Sequence, residues 1–377
     1  IACLRLMIYK FNSIGVRMEN LEEYLSNGVE NVIKSILKAS LKNPNASIFM
    51  LRYIEASKKA RKTRNEYDER GEHIPPFLIA SITSQCNLHC KGCYARANNS
   101  CNDHSDTNTL TASQWGDIMK QADGLGIGFI LLAGGEPFTR VDILEEAGRH
   151  RNIIFPIFTN GTMIDENSVK FLVKNPNLMP VISIESNKET TDGRRGAGIY
   201  GIIQLAMEKM KKAGVLFGVS VTVTKDNVKE VSAEKFISEL KEVGAKAIVY
   251  VEYVPVDHFS EELAPDDHTR EYMEERMEAI RTSQEELLII AFPGDEKTSG
   301  GCLAAGRGFF HINAQGGAEP CPFSPYSDTN VTETPLLQAL KSPLFAKLRD
   351  AGVLMESHNG GCVLFHKEEQ VKELMGQ

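Results

Sequence analysis

No run of about 18 consecutive apolar residues occurs in this 377-residue chain, which excludes a membrane-spanning helix. Positive charge is also scarce, because 42 Lys and Arg residues stand against 50 Asp and Glu residues and the net charge is −8. This balance argues against nucleic acid as the main partner. The first ten residues are too short for a signal peptide and contain no small-residue cleavage site. We therefore expect a cytoplasmic protein.

Cysteine occurs at only eight positions, and its distribution is uneven. One group of three falls within eight residues, and a second group of three lies far downstream. The first group is Cys86, Cys90 and Cys93, and the second is Cys302, Cys321 and Cys362. In a large cytoplasmic protein such grouping favours metal or redox chemistry over disulfide bonds.

Short β-rich runs alternate with helical segments from residue 76 onward. A capping box of Thr111 and Gln114 predicts one helix start, and Gly214 and Gly244 predict two helix ends. The predicted strands are 77–83, 127–132, 153–158, 181–185, 216–224 and 247–253. Six strand–helix units predict an α/β fold with a parallel sheet that curls into a partial (β/α)6 barrel. The active site is then expected at the carboxyl ends of the strands.

The flanking segments have different patterns. Residues 18–64 have helical periodicity, divided by Pro44, so we predict an N-terminal helical extension over 1–75. The strand–helix alternation stops after Pro255, and we place the barrel core at 76–256. The remainder, 257–377, reads as an acidic helix near 266–282, an apolar strand at 287–291, a hairpin ending at Cys321 and two short helices. We predict a small C-terminal module there.

The first cysteine group directly follows the first predicted strand. Three thiolates in one short loop can bind three corners of a cubic [4Fe–4S] cluster and leave the fourth iron open. An open metal position is typical of a catalytic site. A zinc loop or structural cysteines are the alternatives, but zinc sites usually pair Cys-x2-Cys with a second such pair, and none follows here.

The Cys-x3-Cys-x2-Cys spacing at this position resembles the radical S-adenosylmethionine superfamily over about 76–256. The resemblance implies that S-adenosylmethionine binds the open iron, is cleaved by one electron, and yields a 5′-deoxyadenosyl radical that removes a hydrogen atom from a substrate. The segment from Gly134 through Gly135 and Glu136 to Pro137 is similar to the family motif that binds the methionine amino group.

The same resemblance implies further cofactor contacts. Asn160 lies in a Thr-Asn-Gly turn, Ser183 and Glu185 alternate on the fourth predicted strand, and Arg195 precedes a glycine, as in many members. Many members also have an aromatic residue just before the third cysteine, near the adenine. Here that residue is Gly92, which leaves Tyr94 as the candidate for adenine stacking.

The downstream cysteines resemble the auxiliary-cluster module called twitch, a reduced form of the SPASM domain whose full cysteine block is absent here. The resemblance implies a second iron–sulfur cluster on Cys302, Cys321 and Cys362. Its fourth ligand is left open between Cys101, an upstream side chain and the substrate. Such a cluster either accepts an electron or binds the substrate through an open iron.

The leading hypothesis is therefore a radical enzyme that acts on a peptide or a small molecule and receives electrons from a reductant such as flavodoxin or ferredoxin. The alternative is an iron–sulfur electron carrier without radical chemistry, for which the cofactor motifs would have no use. A small peptide-binding domain at the N-terminus is not evident, which weakens the peptide hypothesis. The sequence predicts no particular substrate or oligomeric state.

Overall fold

The computed structural model describes residues 44–104, 108–256, 260–284, 287–299, 301–355 and 361–376. The predicted helical stretch of residues 18–43 lies outside them. The first described element is the helix α1, Pro44–Asp68, which begins at the proline that was expected to divide two helices. The division into segments 1–75, 76–256 and 257–377 stays a prediction.

Nine strands form one sheet in the order β7-β6-β5-β4-β3-β2-β1-β8-β9. The first seven are parallel neighbours, as expected for strand–helix units. Their bounds are β1 Phe77–Thr83, β2 Phe129–Gly134, β3 Phe155–Thr159, β4 Leu178–Ser183, β5 Gly218–Val223, β6 Ala247–Glu252 and β7 Leu288–Phe292, followed by β8 His311–Ile312 and β9 Ala318–Glu319. The predicted partial barrel is confirmed.

Helices connect the strands and close the chain. Those of the barrel are α2 Tyr94–Ala97, α3 Ala112–Leu125, α4 Val141–Arg149, α5 Glu166–Lys174, α6 Lys188–Arg195, α7 Ile199–Ala213, α8 Val228–Val231, α9 Glu234–Val243 and α10 Asp267–Ser283. The last four are α11 Leu336–Ala339, α12 Pro343–Asp350, α13 Val363–His366 and α14 Glu368–Met375. Short 3-10 turns cover Pro137–Thr139, Glu261–Leu263, Gly294–Ser299 and Val353–Met355. No helix in the described parts of the chain combines the length and apolarity needed to cross a membrane.

The parallel sheet continues past residue 256, where the alternation was expected to stop. The acidic helix α10 leads into β7, which pairs in parallel with β6. At the other end the predicted hairpin, β8 and β9, joins the same sheet because β8 pairs in parallel with β1. The sequence placed both elements in a separate module because strand pairing between distant segments leaves no local signal.

Strands β1 and β7 of this open sheet are close together in space. The Phe309 ring stacks on Phe77 of β1 with centroids 5.0 Å apart, and it contacts Phe292 of β7 at 5.6 Å. Phe309 is fully buried. This aromatic side chain therefore fills the seam of the partial barrel between β1 and β7, where no hydrogen-bonded pair of described strands closes it.

The helix α1 packs under the amino ends of the strands, opposite the expected active site. Its Phe49, Met50 and Tyr53 form a buried cluster with Ile154, which immediately precedes β3. Arg64, from the basic run of this helix, donates a hydrogen bond to the Gly126 carbonyl at 2.6 Å. The described part of the N-terminal extension therefore stabilises the bottom of the barrel.

Local sequence signals account for the helix ends that position the strands. Thr111 and Gln114 form the predicted capping box at the start of α3, and Asp165 accepts the Ser168 N–H at the start of α5. Gly214 and Gly244 end α7 and α9 in the left-handed conformation. Glycine is favoured there because a side chain is strained at positive φ.

Candidate radical cofactor site and auxiliary cysteine site

The loop that carries Cys86, Cys90 and Cys93 leaves the carboxyl end of β1 and is held on two sides. The Cys86 N–H donates to the Asn102 carbonyl at 2.9 Å, and the Lys91 N–H donates to the Arg194 carbonyl at 2.8 Å. All three thiols are partly exposed. The loop is thus fixed in place while its sulfur atoms remain accessible to a cofactor.

The Cys86 thiol is more acidic than an ordinary thiol. A hydrogen bond from the Cys101 thiol is the main cause that lowers the pKa of Cys86 to about 6, and Arg96 adds a smaller electrostatic effect. Burial raises the pKa of Cys90 in spite of the nearby Arg195. Because the thiolate is the form that binds iron, the environment of Cys86 fits a cluster ligand. Cys101 therefore lies beside this first group of thiols.

Gly134 ends β2 and Gly135 follows it, and both press against the chain that leads into Cys86. A Cβ on Gly135 would lie 2.1 Å from the Gln85 carbonyl oxygen, and a Cβ on Gly134 would lie 2.2 Å from the Thr83 carbonyl oxygen. Gly134 also has a φ of +112°. Backbone hydrogen bonds from Gly135 to Thr83 and from Glu136 to Gln85, both of 2.8 Å, join the two loops. Only glycine permits this approach.

Glu136 is fully buried and joins the loops after β2 and β3. Its carboxylate accepts the Asn160 N–H at 2.8 Å, the Thr159 hydroxyl at 2.7 Å and the Phe138 N–H at 3.1 Å. The Asn160 side chain in turn donates to Asn87 in the cysteine loop at 2.9 Å. The predicted residues Glu136 and Asn160 thus lie together, and they connect three strand-end loops.

Burial raises the pKa of Glu136 to about 7, against the hydrogen bonds that favour its charged form. This pKa exceeds that of the carboxyl in the unfolded chain. The protonated Glu136 therefore contributes fully to the free energy of unfolding at low pH, and this contribution is lost as the pH rises through about 7. We expect Glu136→Gln to gain stability relative to the parent between about pH 5 and pH 8, by up to about 3 kcal/mol. Urea unfolding of the reduced, metal-free proteins measures this difference. A difference that does not change with pH would contradict the assignment.

Glu185, expected on the fourth strand, lies just beyond it, since β4 ends at Ser183. Its buried carboxylate forms a bidentate ion pair with Arg195 at 2.7 and 2.9 Å and a further hydrogen bond with Arg194 at 2.9 Å. Because the Arg194 carbonyl accepts from Lys91, this pair supports the cysteine loop. Ser183 stays on the strand and shares a 3.1 Å hydrogen bond with Ser220 of β5.

Tyr94 points toward the downstream module. Its ring packs edge-on against Phe323 with centroids 4.8 Å apart. Burial, and then negative charge at Cys93 and Cys321, raise the pKa of Tyr94. Tyr94 therefore lies between the two cysteine groups, and its stacking on an adenine stays a prediction.

The aromatic ring of Tyr253 lies against Gly92. A Cβ on Gly92 would lie 2.5 Å from Cε2 of Tyr253, the residue that directly follows β6. The ring thus occupies the space that a side chain at position 92 would take. The sequence contained no signal for this contact, because the two residues are far apart in the chain.

The downstream cysteines also come together. Cys302 and Cys321 are buried and Cys362 is partly buried. Burial is the main cause that raises the pKa of Cys302 and Cys321, and the charge of the Cys362 thiolate adds to it in both cases. Burial likewise raises the pKa of Cys362 to about 12. Thiolates in such an apolar site need a bound cation to be stable.

Within the described residues, no three His, Cys, Asp or Glu side chains converge as a site for a single metal ion. The chemistry of each donor set, three thiols, fits three corners of an iron–sulfur cluster.

A buried polar network links β1 to the β8–β9 hairpin. His311 of β8 shares hydrogen bonds of 2.7 Å with Ser81 of β1 and 2.7 Å with Glu319 of β9. Glu319 also accepts from Asn313 at 2.6 Å. The hairpin brings His311 next to β1, because it pairs with Ile79 there. None of these residues was selected from the sequence.

Comparisons with known proteins agree with this arrangement. The profile of the Radical SAM superfamily matches residues 80–233, which include the cysteine loop. The chain is 29% identical over 304 residues to the AdoMet-dependent heme synthase of Methanosarcina barkeri, covering 73% of this chain and 85% of that protein. It is 26% identical over 328 residues to mycofactocin maturase MftC of Mycobacterium ulcerans, covering 79% and 85%.

The fold is also similar to that of a solved structure. SuiB of Streptococcus suis, bound to its precursor peptide SuiA, superposes with a TM-score of 0.66 over 83% of this chain and 77% of that chain. The sequence identity is 18%, so this likeness concerns the fold alone.

Proposed function

Since the chain belongs to the radical S-adenosylmethionine superfamily, we propose that Cys86, Cys90 and Cys93 bind the [4Fe–4S] cluster at which S-adenosylmethionine is cleaved. When bound, this cluster and cofactor supply an electron and a 5′-deoxyadenosyl radical that abstracts a hydrogen atom from the substrate. The observation that carries the proposal is the fixed cysteine loop at the carboxyl end of β1, against which Gly134 and Gly135 press closely.

The neighbouring residues have distinct proposed roles toward the cofactor. Gly134 and Gly135 let the backbone after β2 approach it, and Glu136 with Asn160 orients the loops after β2 and β3. Ser183 offers a hydroxyl at the end of β4. The pair of Glu185 and Arg195 positions the cysteine loop from the other side. Tyr94, half-buried between the two cysteine groups, remains the proposed aromatic contact for the adenine.

We propose a second iron–sulfur cluster on Cys302, Cys321 and Cys362. Two of these thiols are buried and the third is partly buried, and their charges influence one another although the residues are far apart in sequence. These observations support a common ligand set. The Tyr94–Phe323 contact joins this site to the first cluster loop. With two clusters close to one barrel interior, the net reaction that fits best is an oxidation of the substrate.

We propose that the substrate binds beside the polar network of Ser81, His311 and Glu319, because Ser81 lies on β1, the strand that leads into the first cysteine loop. One relative is named a heme synthase and another a maturase, and a structural neighbour holds its precursor peptide. The proposed substrate is accordingly a small molecule or a peptide. We also propose a flavodoxin or ferredoxin as electron donor and a cytoplasmic location.

Anaerobic reconstitution with iron and sulfide tests the proposal. We expect about eight irons per chain, corresponding to two [4Fe–4S] clusters. Dithionite-reduced enzyme given S-adenosylmethionine is expected to form 5′-deoxyadenosine and methionine, measured by chromatography and mass spectrometry. About four irons with cleavage retained would remove the second cluster from the proposal. Fully loaded clusters without cleavage and without a spectral response to the cofactor would contradict its central part.

A further inference from the structure

A buried acidic side chain lies beside the downstream cysteines. Glu296 belongs to the 3-10 turn Gly294–Ser299, which directly follows β7 and precedes Cys302. Only 2% of Glu296 is exposed. Its Oε1 accepts the Leu303 N–H at 3.3 Å, and the Cys302 thiol donates a hydrogen bond to the same carboxylate. The local backbone thus directs this carboxylate to the thiol.

Glu296 lies within electrostatic range of all three downstream cysteines, because its charge adds to burial in raising the pKa of Cys302, Cys321 and Cys362. The carboxylate is itself almost fully buried. A buried carboxylate is stable when it is neutral or when a cation binds it. Bound iron would supply that cation beside the Cys302 thiol.

Two other side chains that could complete the site are engaged elsewhere. Glu252, at the end of β6, comes near Cys362, but its Oε1 pairs with Arg270 through hydrogen bonds of 2.9 and 2.7 Å and its Oε2 accepts the Gly361 N–H at 3.4 Å. The Cys101 thiol binds Cys86 in the other group. Of these three side chains, Glu296 is the one that forms a hydrogen bond with a downstream thiol, that of Cys302.

We propose that Glu296 is the fourth protein ligand of the auxiliary cluster, binding the iron that the three cysteines leave open. The proposal rests on the function proposed above for Cys302, Cys321 and Cys362. A cubic cluster has four irons with one outer ligand each, and a carboxylate oxygen is a suitable ligand for iron in place of a thiolate. A cluster closed in this way has no position for the substrate, and it acts as an electron acceptor or relay.

The first cluster must be removed to observe the second alone. We would reconstitute the full chain with Cys86, Cys90 and Cys93 replaced by alanine, and introduce Glu296→Ala, Glu296→Gln or Glu296→Cys in that background. Iron counting and Mössbauer spectroscopy report the occupancy and environment of each iron, and cyanide serves as a probe for an open iron. None of these readouts depends on turnover.

In the parent of this series, the variant with Cys86, Cys90 and Cys93 replaced by alanine, we expect about four irons per chain and no response to cyanide. Glu296→Ala is expected to lose one iron or to bind cyanide at one site, whereas Glu296→Cys keeps about four irons and shows no open site. Glu296→Gln, which preserves the shape, controls for a change of fold, which circular dichroism checks in all variants. An alanine variant with the iron content, spectrum and cyanide response of the parent would overturn the assignment of Glu296 alone. A parent without any cluster would overturn the auxiliary cluster itself.

Discussion

Replacing Cys86, Cys90 and Cys93 with alanine is expected to abolish the formation of 5′-deoxyadenosine while about four irons remain on the chain. The three thiols are the only protein ligands proposed for the first cluster, and without the cluster no electron reaches the cofactor. The remaining irons are those of the second site, whose thiols belong to other elements of the fold. Iron analysis and product quantification on dithionite-reduced protein measure both effects.

The matched control is the complementary variant, with Cys302, Cys321 and Cys362 replaced by alanine. It too is expected to retain about four irons, but it should still cleave S-adenosylmethionine, because the first cysteine loop is held by contacts outside the downstream thiols. The pair separates loss of one cluster from general misfolding. Equal loss of cleavage in both variants would show that the two sites do not act independently, and cleavage by the first variant would refute the assignment of the cofactor site.

The sequence predicted the barrel because its signals are local. Alternating apolar runs, the Thr111 capping box and the glycines that end α7 and α9 each depend on a few adjacent residues, and together they determine a parallel sheet. The elements that were assigned to a separate module, β7 and the β8–β9 hairpin, join the sheet through pairing with β6 and β1. Such pairings join distant segments, and a two-residue strand such as β8 has no periodicity to detect.

Those parts of the site that consist of neighbouring residues in the sequence could be predicted. The cysteine loop and the two glycines at the end of β2 lie together as expected, whereas the partners of other residues could not be predicted from their spacing in the sequence. Glu185 was expected on the fourth strand, but it lies beyond β4 and pairs with Arg195. The ring at Gly92 belongs to Tyr253, which follows β6 and is distant in sequence. Both contacts arise only when the strand ends converge, so folding creates them.

The glycine after Gly134 provides the second test with a large expected effect. Gly135→Ala would place a Cβ 2.1 Å from the Gln85 carbonyl oxygen and 3.0 Å from the Cys86 nitrogen. These are backbone atoms, so the cysteine loop itself must move. If overpacking costs about 1–3 kcal/mol, the affinity for S-adenosylmethionine should fall about 5- to 150-fold, with lower occupancy of the first cluster.

Gly124→Ala is the matched control for this substitution. Gly124 lies near the end of α3 and is exposed, and a Cβ at this position would have no atom within 4 Å, so alanine there meets no obstacle. Alanine is also the better helix former by about 1 kcal/mol, and the control should therefore be at least as stable as the parent. Equilibrium binding of S-adenosylmethionine to reconstituted protein, followed by its effect on the cluster spectrum, compares the two variants. Parent-like affinity in Gly135→Ala would mean that the loop after β2 does not fix the position of Cys86, and the proposed geometry of the cofactor site would fail with it.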